Sequence, residues 1–200
     1  MERSQPTGAP RSLEAGADEH LRVIRAAMER AGSFTAVPGW GGVAMGVVAL
    51  AAAALAWGAR DPRAWLSIWL GAAVAAFAIG ASTMARKARR SGVPLLGGAS
   101  RRFYLTLGAP IAVGAILTAA LAARGEIAIL PGVWLLLYGS AVLTAGAQSI
   151  PIIPTLGFSF LAVGTIALLS PASWGNGYLA LGFGLLQIGF GLVIARRHGG

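Results

Sequence analysis

The residues that could do chemistry inside this chain are few, and most of them lie on one helical stripe. Ser140, Thr144 and Gln148 follow one another at intervals of four residues, which places them on one face of a helix. Gln187 lies in a later apolar segment. Hydroxyl and amide groups exchange hydrogen bonds without carrying charge, so the stripe could guide a small neutral solute. The alternative is hydrogen bonding between helices, with Ser and Thr also bonding their own backbone.

A second candidate group lies near the N-terminus, in the stretch ADEHLRVIRAAMERAG. Its periodicity predicts an amphipathic helix on the cytoplasmic surface, with Leu21, Ile24 and Met28 on the apolar face. His20 projects into that apolar arc. Protonation of its imidazole near neutral pH would oppose burial, so His20 could act as a switch. It could also be an axial ligand, or a structural residue at the edge of an interface.

Chemically active groups are missing from the long apolar segments. These segments contain no Asp, Glu, Lys, Arg or His, and the whole chain has no cysteine. Ion-coupled transporters and proton pumps normally keep an ionisable group at membrane depth. Hydrolases need an activated nucleophile and a base, and metal centres need His, Cys or acidic ligands. We therefore expect no enzyme activity, no cofactor and no metal site.

The elements that position these side chains follow from the composition. Hydrophobic residues make up 56% of the chain and charged residues 12%, whereas soluble domains carry roughly a quarter charged residues. The mean hydropathy is +0.70. A helix needs about 20 apolar residues to cross a bilayer. The sequence predicts six such spans: Gly39–Trp57, Ala64–Ala85, Phe103–Ala123, Ile127–Ala147, Pro151–Leu169 and Trp174–Ala195.

Basic residues predict the orientation in the membrane. The segment between the second and third spans carries six of them and no acid: Arg86, Lys87, Arg89, Arg90, Arg101 and Arg102. By the positive-inside rule, this segment and both termini lie in the cytoplasm. The formal net charge of +9 then reflects membrane topology. Anionic lipid headgroups are the expected partner of these residues, and no nucleic acid is expected.

The motif Pro-x-x-Trp occurs three times, each time near the start of an even-numbered span: Pro62 and Trp65, Pro131 and Trp134, Pro171 and Trp174. Proline suits a first helical turn because its missing N–H would have no partner there, and tryptophan favours headgroup depth. We expect these residues to anchor the outer turns of a repeated helical hairpin. Pairs of small residues, such as Gly42/Gly46 and Gly71/Ala75, predict close helix packing.

Three stretches resemble a group of small, uncharacterised bacterial inner-membrane proteins: LRVIRAAMERAGSFTAVPGWGG, MARKARRSGVPLLGG and IARRHGG. The resemblance implies a bacterial inner membrane. Members of that group are often encoded beside winged-helix regulators, which implies a stress-linked or regulatory role. The stretch FLAVGTIALLSPASWGNGYLALGFGLLQIGFGLVIA is similar to HdeD-like acid-resistance membrane proteins, which also consist of three helical hairpins. Neither resemblance implies catalytic residues.

The sequence therefore predicts an all-α, polytopic membrane protein of six transmembrane helices in three hairpins. Residues 1–12 are expected to form a disordered tail, 13–36 the cytoplasmic amphipathic helix and linker, 37–197 the bundle and 198–200 a cytoplasmic tail. The expected function is non-enzymatic: an accessory, stress-linked or regulatory protein that associates with a protein partner, a second copy, lipid or a small ligand such as a quinone or haem. The alternative is a small facilitator or channel for a neutral solute along the polar stripe.

Overall fold

The computed structural model describes residues 37–90, 92, 98–147 and 149–198. This part of the chain is helical and contains no β-strand, so the all-α class is confirmed for it. Five of the residues singled out above lie outside the described residues: His20, Leu21, Ile24, Met28 and Gln148.

Six described helices are long and apolar enough to span a membrane. Within the described residues, these six spans are built from seven α-helices: α1 Gly39–Trp57, α2 Pro62–Arg90, α3 Gly98–Ala123, α4 Leu130–Gly146, α5 Ile152–Leu169, α6 Gly175–Leu179 and α7 Gln187–His198. A π-helix, Ala180–Leu186, joins α6 to α7, and these three elements belong to the sixth span, Ala172–Arg197. Two 3₁₀ turns, Ile127–Ile129 and Ala172–Trp174, precede α4 and α6. The six predicted spans are confirmed as helices, and α2 continues beyond its apolar part through the basic residues to Arg90.

The start of α2 shows why the chain turns where the first Pro-x-x-Trp motif predicts. The Asp61 carboxylate accepts the backbone N–H groups of Arg63 at 3.1 Å and Ala64 at 3.3 Å, as an N-cap residue does. Pro62 is the first residue of the helix, where its missing N–H would have no partner. The turn is therefore stabilised locally, before any contact with another helix.

Helix α1 has the largest buried share of the six spans, and it packs against both α2 and the sixth span. The predicted pair Gly42/Gly46 lies in the second of these contacts. A Cβ at Gly46 would lie 2.8 Å from the carbonyl oxygen of Gly184, and one at Gly42 would lie 3.4 Å from the Cα of Gly191. Glycines on both helices let the two backbones approach closely, which increases van der Waals contact in a membrane.

Helices α4 and α5 make a similar contact. A Cβ at Gly157 would lie 2.7 Å from the backbone nitrogen of Leu143, and one at Gly139 would lie 2.9 Å from that of Leu161. The predicted pair Gly71/Ala75 on α2 behaves differently, because a Cβ at Gly71 would meet nothing within 4 Å. Small-residue spacing alone does not reveal which face of a helix meets a neighbour.

Helices α2 and α3 lie at the periphery of the bundle. Only 6% of the most apolar window of each helix is buried, against 44% for α1. Large apolar side chains such as Phe77 on α2 and Ile116 on α3 are about 70% exposed. These two helices therefore present wide apolar surfaces to whatever surrounds the bundle.

Candidate functional site

Two hydroxyl groups of the predicted polar stripe are hydrogen-bonded to their own helix. Ser140 Oγ donates to the carbonyl oxygen of Leu137 at 2.9 Å. Thr144 Oγ1 lies 2.8 Å from the carbonyl oxygen of Ser140 and 3.1 Å from that of Ala141. A hydroxyl has a single proton to donate, so neither group has a second proton for a solute. Ser140 and Thr144 therefore share one face of α4, and the hydroxyl protons of both are already in use.

Gln187, on the sixth span, makes a different contact. Its Nε2 donates to the hydroxyl of Tyr138 on α4 at 3.1 Å. The Tyr138 ring packs edge-on against Phe160 and Phe183, with ring centroids 4.8 and 5.1 Å away. One polar group and three rings thus join α4, α5 and the sixth span inside the core.

The other polar atom of the Gln187 side chain, Oε1, is buried and has no hydrogen-bond partner among the described residues. Gln187 is 8% exposed and directly follows the π-helix, Ala180–Leu186. A buried, unpaired amide oxygen is uncommon in native proteins, and π-helical turns are frequent at functional sites. Among the described stripe residues, Gln187 is therefore the one whose buried polar atom has no partner.

The Pro-x-x-Trp motifs lie at the starts of the even-numbered spans, as expected. Pro131 is the second residue of α4, and Pro171 directly precedes the 3₁₀ turn of the sixth span. Two motif tryptophans contact each other, because the rings of Trp65 and Trp134 stack with centroids 5.7 Å apart and planes 7° from parallel. The third, Trp174, is 60% exposed.

Asn176 connects three spans and was missed by sequence reasoning. Its Oδ1 accepts the indole N–H of Trp69 at 3.0 Å, and its Nδ2 donates to the carbonyl oxygen of Ala53 at 2.9 Å. The sequence signal that could have identified Asn176 is its position: an amide residue in the first turn of an apolar helix, two positions after Trp174. Polar side chains inside an apolar bundle need hydrogen-bond partners. By bonding Trp69 and the carbonyl oxygen of Ala53, Asn176 connects α1, α2 and the sixth span.

Asn176 lines a cavity of about 340 Å³, which we call the turn cavity. It lies where the end of α1 and the starts of α2, α4 and the sixth span come together. Its lining contains no charged side chain and consists of Ala56, Trp57, Ala59, Trp65, Ile127, Ala128, Pro131, Ala172, Ser173, Gly175 and Asn176. The predicted anchor residues Trp65 and Pro131 thus form part of its wall.

The predicted headgroup-contact residues lie on two helix ends. Arg86, Arg89 and Arg90 are on the last turns of α2, and Arg101 and Arg102 are near the start of α3; all five are exposed. The side chain of Lys87 is partly buried, and its Nζ donates to the carbonyl oxygen of Val37 at 2.9 Å. The structure therefore keeps the five arginines accessible and ties the lysine to the segment before α1.

The fold and these polar groups define the chain as a bundle of apolar helices that can span a membrane. Within the described ranges, no three His, Cys, Asp or Glu side chains lie close enough to hold a metal ion. The chain matches no family model, no curated protein and no solved structure.

Proposed function

We propose that this chain is a non-enzymatic accessory protein of a bacterial inner membrane, of stress-linked or regulatory type, that acts by association. Its three hairpins turn at the outer face, and both termini are cytoplasmic. The observation that carries the proposal is the combination, on α2 and α3, of wide apolar surface with five exposed arginines at one end. Apolar surface contacts acyl chains or a second protein, while arginine binds the phosphate of an anionic lipid.

The charges at the two ends of α2 support the proposed orientation. At the basic end, Arg86, Arg89 and Arg90 have no acidic neighbour in sequence. At the opposite end, Asp61 lies between Arg60 and Arg63. An anionic cytoplasmic leaflet attracts basic residues by about 1 kcal/mol for each residue close to the surface. The excess of positive charge at one end therefore favours that end in the cytoplasm.

Lipid association is tested by the thermal stability of the protein in nanodiscs with and without phosphatidylglycerol. Anionic lipid should raise the Tm of the wild type, because a ligand that binds only the folded state stabilises it. Replacing Arg86, Arg89 and Arg101 with Gln should remove most of this increase. The matched control replaces Arg60 and Arg63 with Gln at the other end, and it should leave the increase intact. Equal losses in both variants would overturn the proposal.

The absence of cysteine from the chain makes its orientation easy to test. Single cysteines at Ser173, near the start of the sixth span, and at Arg197, near its end, are both at exposed positions. A membrane-impermeant maleimide added to intact cells should label the first and not the second. The reverse pattern would place the termini outside.

The segment before the membrane is proposed as the cytoplasmic contact surface. Changing Leu21, Ile24 and Met28 together to Ser should release it to protease, and unchanged protection would exclude docking through that face. His20→Ala should abolish any pH response of that protection. The same response in wild type and variant would remove the switch hypothesis.

A facilitator for a neutral solute remains the second candidate, favoured by one observation: the buried Gln187 Oε1 that lacks a partner among the described residues. Gln187→Leu should abolish the flux of a neutral solute into liposomes if the Gln187 Oε1 atom belongs to the path of that solute. Thr144→Val is the internal comparison, because its hydroxyl proton is held by its own helix. Unchanged flux in Gln187→Leu would exclude this candidate.

A further inference from the structure

We propose that the turn cavity is a binding site for a small, neutral, planar molecule that carries an amide or carbonyl group. At about 340 Å³, the cavity falls within the roughly 300–1,000 Å³ typical of small-molecule sites. Such sites combine apolar walls with a few polar groups that fix the orientation of the ligand. This proposal goes beyond association with lipid and does not depend on it.

The lining favours a neutral ligand. It contains alanine, isoleucine, proline and tryptophan side chains, with Ser173 and Asn176 as the polar members and no acidic or basic residue. An ion bound there would lose hydration without gaining a counter-charge, which is costly. A neutral molecule avoids that cost.

Asn176 can recognise a polar group while keeping its structural role. An asparagine side chain has two amide hydrogens and two oxygen lone pairs. One hydrogen goes to the carbonyl oxygen of Ala53, and one lone pair accepts the indole N–H of Trp69. One donor and one acceptor therefore remain, which is the complement of an amide group. Because both structural bonds hold the side chain still, little entropy is lost when a ligand binds.

Trp65 provides a rigid aromatic wall. Trp65 lines the cavity, and its ring stacks on that of Trp134. The Trp134 ring is fixed by a hydrogen bond of 2.8 Å from its Nε1 to Thr118 Oγ1. An indole held in this way presents a preformed flat surface, and aromatic rings favour offset stacking or edge-to-face contact with it. A planar ligand matches this wall better than a branched aliphatic one.

The test uses the full-length protein in nanodiscs, titrated calorimetrically with 1-naphthamide or with its anionic counterpart, 1-naphthoate. Titration into empty nanodiscs corrects for partition into lipid. We expect saturable binding of one naphthamide per chain and no saturable binding of naphthoate. Absence of saturable naphthamide binding, or equal binding of the two compounds, would overturn the proposal.

Two cavity-filling variants localise the binding. Ala128→Phe and Ala172→Phe add a ring from two different turns, both at exposed positions that line the cavity. Either variant should weaken naphthamide binding at least about tenfold, equivalent to about 1.4 kcal/mol. Ala120→Phe is the control, because Ala120 is exposed on α3 and does not line the cavity. Wild-type affinity in a folded Ala128→Phe or Ala172→Phe protein would show that the compound binds elsewhere.

Discussion

Replacing Gly157 with alanine should destabilise the contact between α4 and α5. The new Cβ would lie 2.7 Å from the backbone nitrogen and 2.8 Å from the Cα of Leu143, whereas carbon contacts are optimal at about 3.5–4.0 Å. Both obstructing atoms belong to the backbone, so the two helices must separate along their length. Overpacking of this kind costs about 1–3 kcal/mol. Alanine regains up to about 1 kcal/mol through its better helix propensity.

Comparison with Gly71→Ala cancels the gain in helix propensity and leaves the steric cost. Gly71 also lies within an apolar helix, but a Cβ there would meet nothing within 4 Å. The propensity gain is common to both variants, so the difference in unfolding free energy between them measures the steric conflict alone, about 1–3 kcal/mol. For a chain of this size, each kcal/mol corresponds to about 2–4 °C in Tm. Thermal scans of tryptophan fluorescence in nanodiscs would show it, and equal Tm values would refute the interpretation of the α4–α5 contact.

Three further predictions concern hydrogen bonds and use the same scans. Tyr138→Phe removes the partner of Gln187 and should cost about 1–3 kcal/mol; the double variant with Gln187→Leu should recover most of it, and simple additivity would argue against the contact. Asp61→Ala should cost about 0.5–2 kcal/mol because the N-cap of α2 is lost; an unchanged Tm would contradict that role. Asn176→Ala leaves the buried indole of Trp69 unpaired and should cost about 1–3 kcal/mol. An unchanged Tm of Asn176→Ala would mean that another group accepts the indole N–H of Trp69.

Much of the fold could be predicted because its causes are local. The bounds of α1, Gly39–Trp57, follow from a run of apolar residues that is long enough to cross a bilayer. The start of α2 follows from Asp61 and Pro62, whose effects on the helix end act within a few residues. Such features need no knowledge of the neighbouring helices, so one sequence suffices.

Features that depend on how the helices are rotated about their axes could not be predicted. Gly71 and Gly46 both belong to small-residue pairs, yet only Gly46 meets another helix. The stacking of Trp65 on Trp134 and the turn cavity need the relative placement of separate spans, which no local pattern specifies. The π-helix, Ala180–Leu186, could not be predicted from the sequence either, because its residues are equally compatible with an α-helix.

Some polar residues within the spans form hydrogen bonds within their own helix, whereas others bond a neighbouring helix. The two kinds of bond should differ in their effect on stability. Threonine can bond a carbonyl of its own helix, as Thr165 does to Leu161 at 2.8 Å. An indole cannot reach back in this way, and Trp134 donates to Thr118 on α3 instead. Thr165→Val should therefore change stability by no more than about 0.5 kcal/mol. Trp134→Phe should cost about 0.6–1.7 kcal/mol for the lost contact between helices, in addition to lost ring area. If Thr165→Val proved the more damaging change, residue type would not distinguish structural contacts from local ones in this bundle.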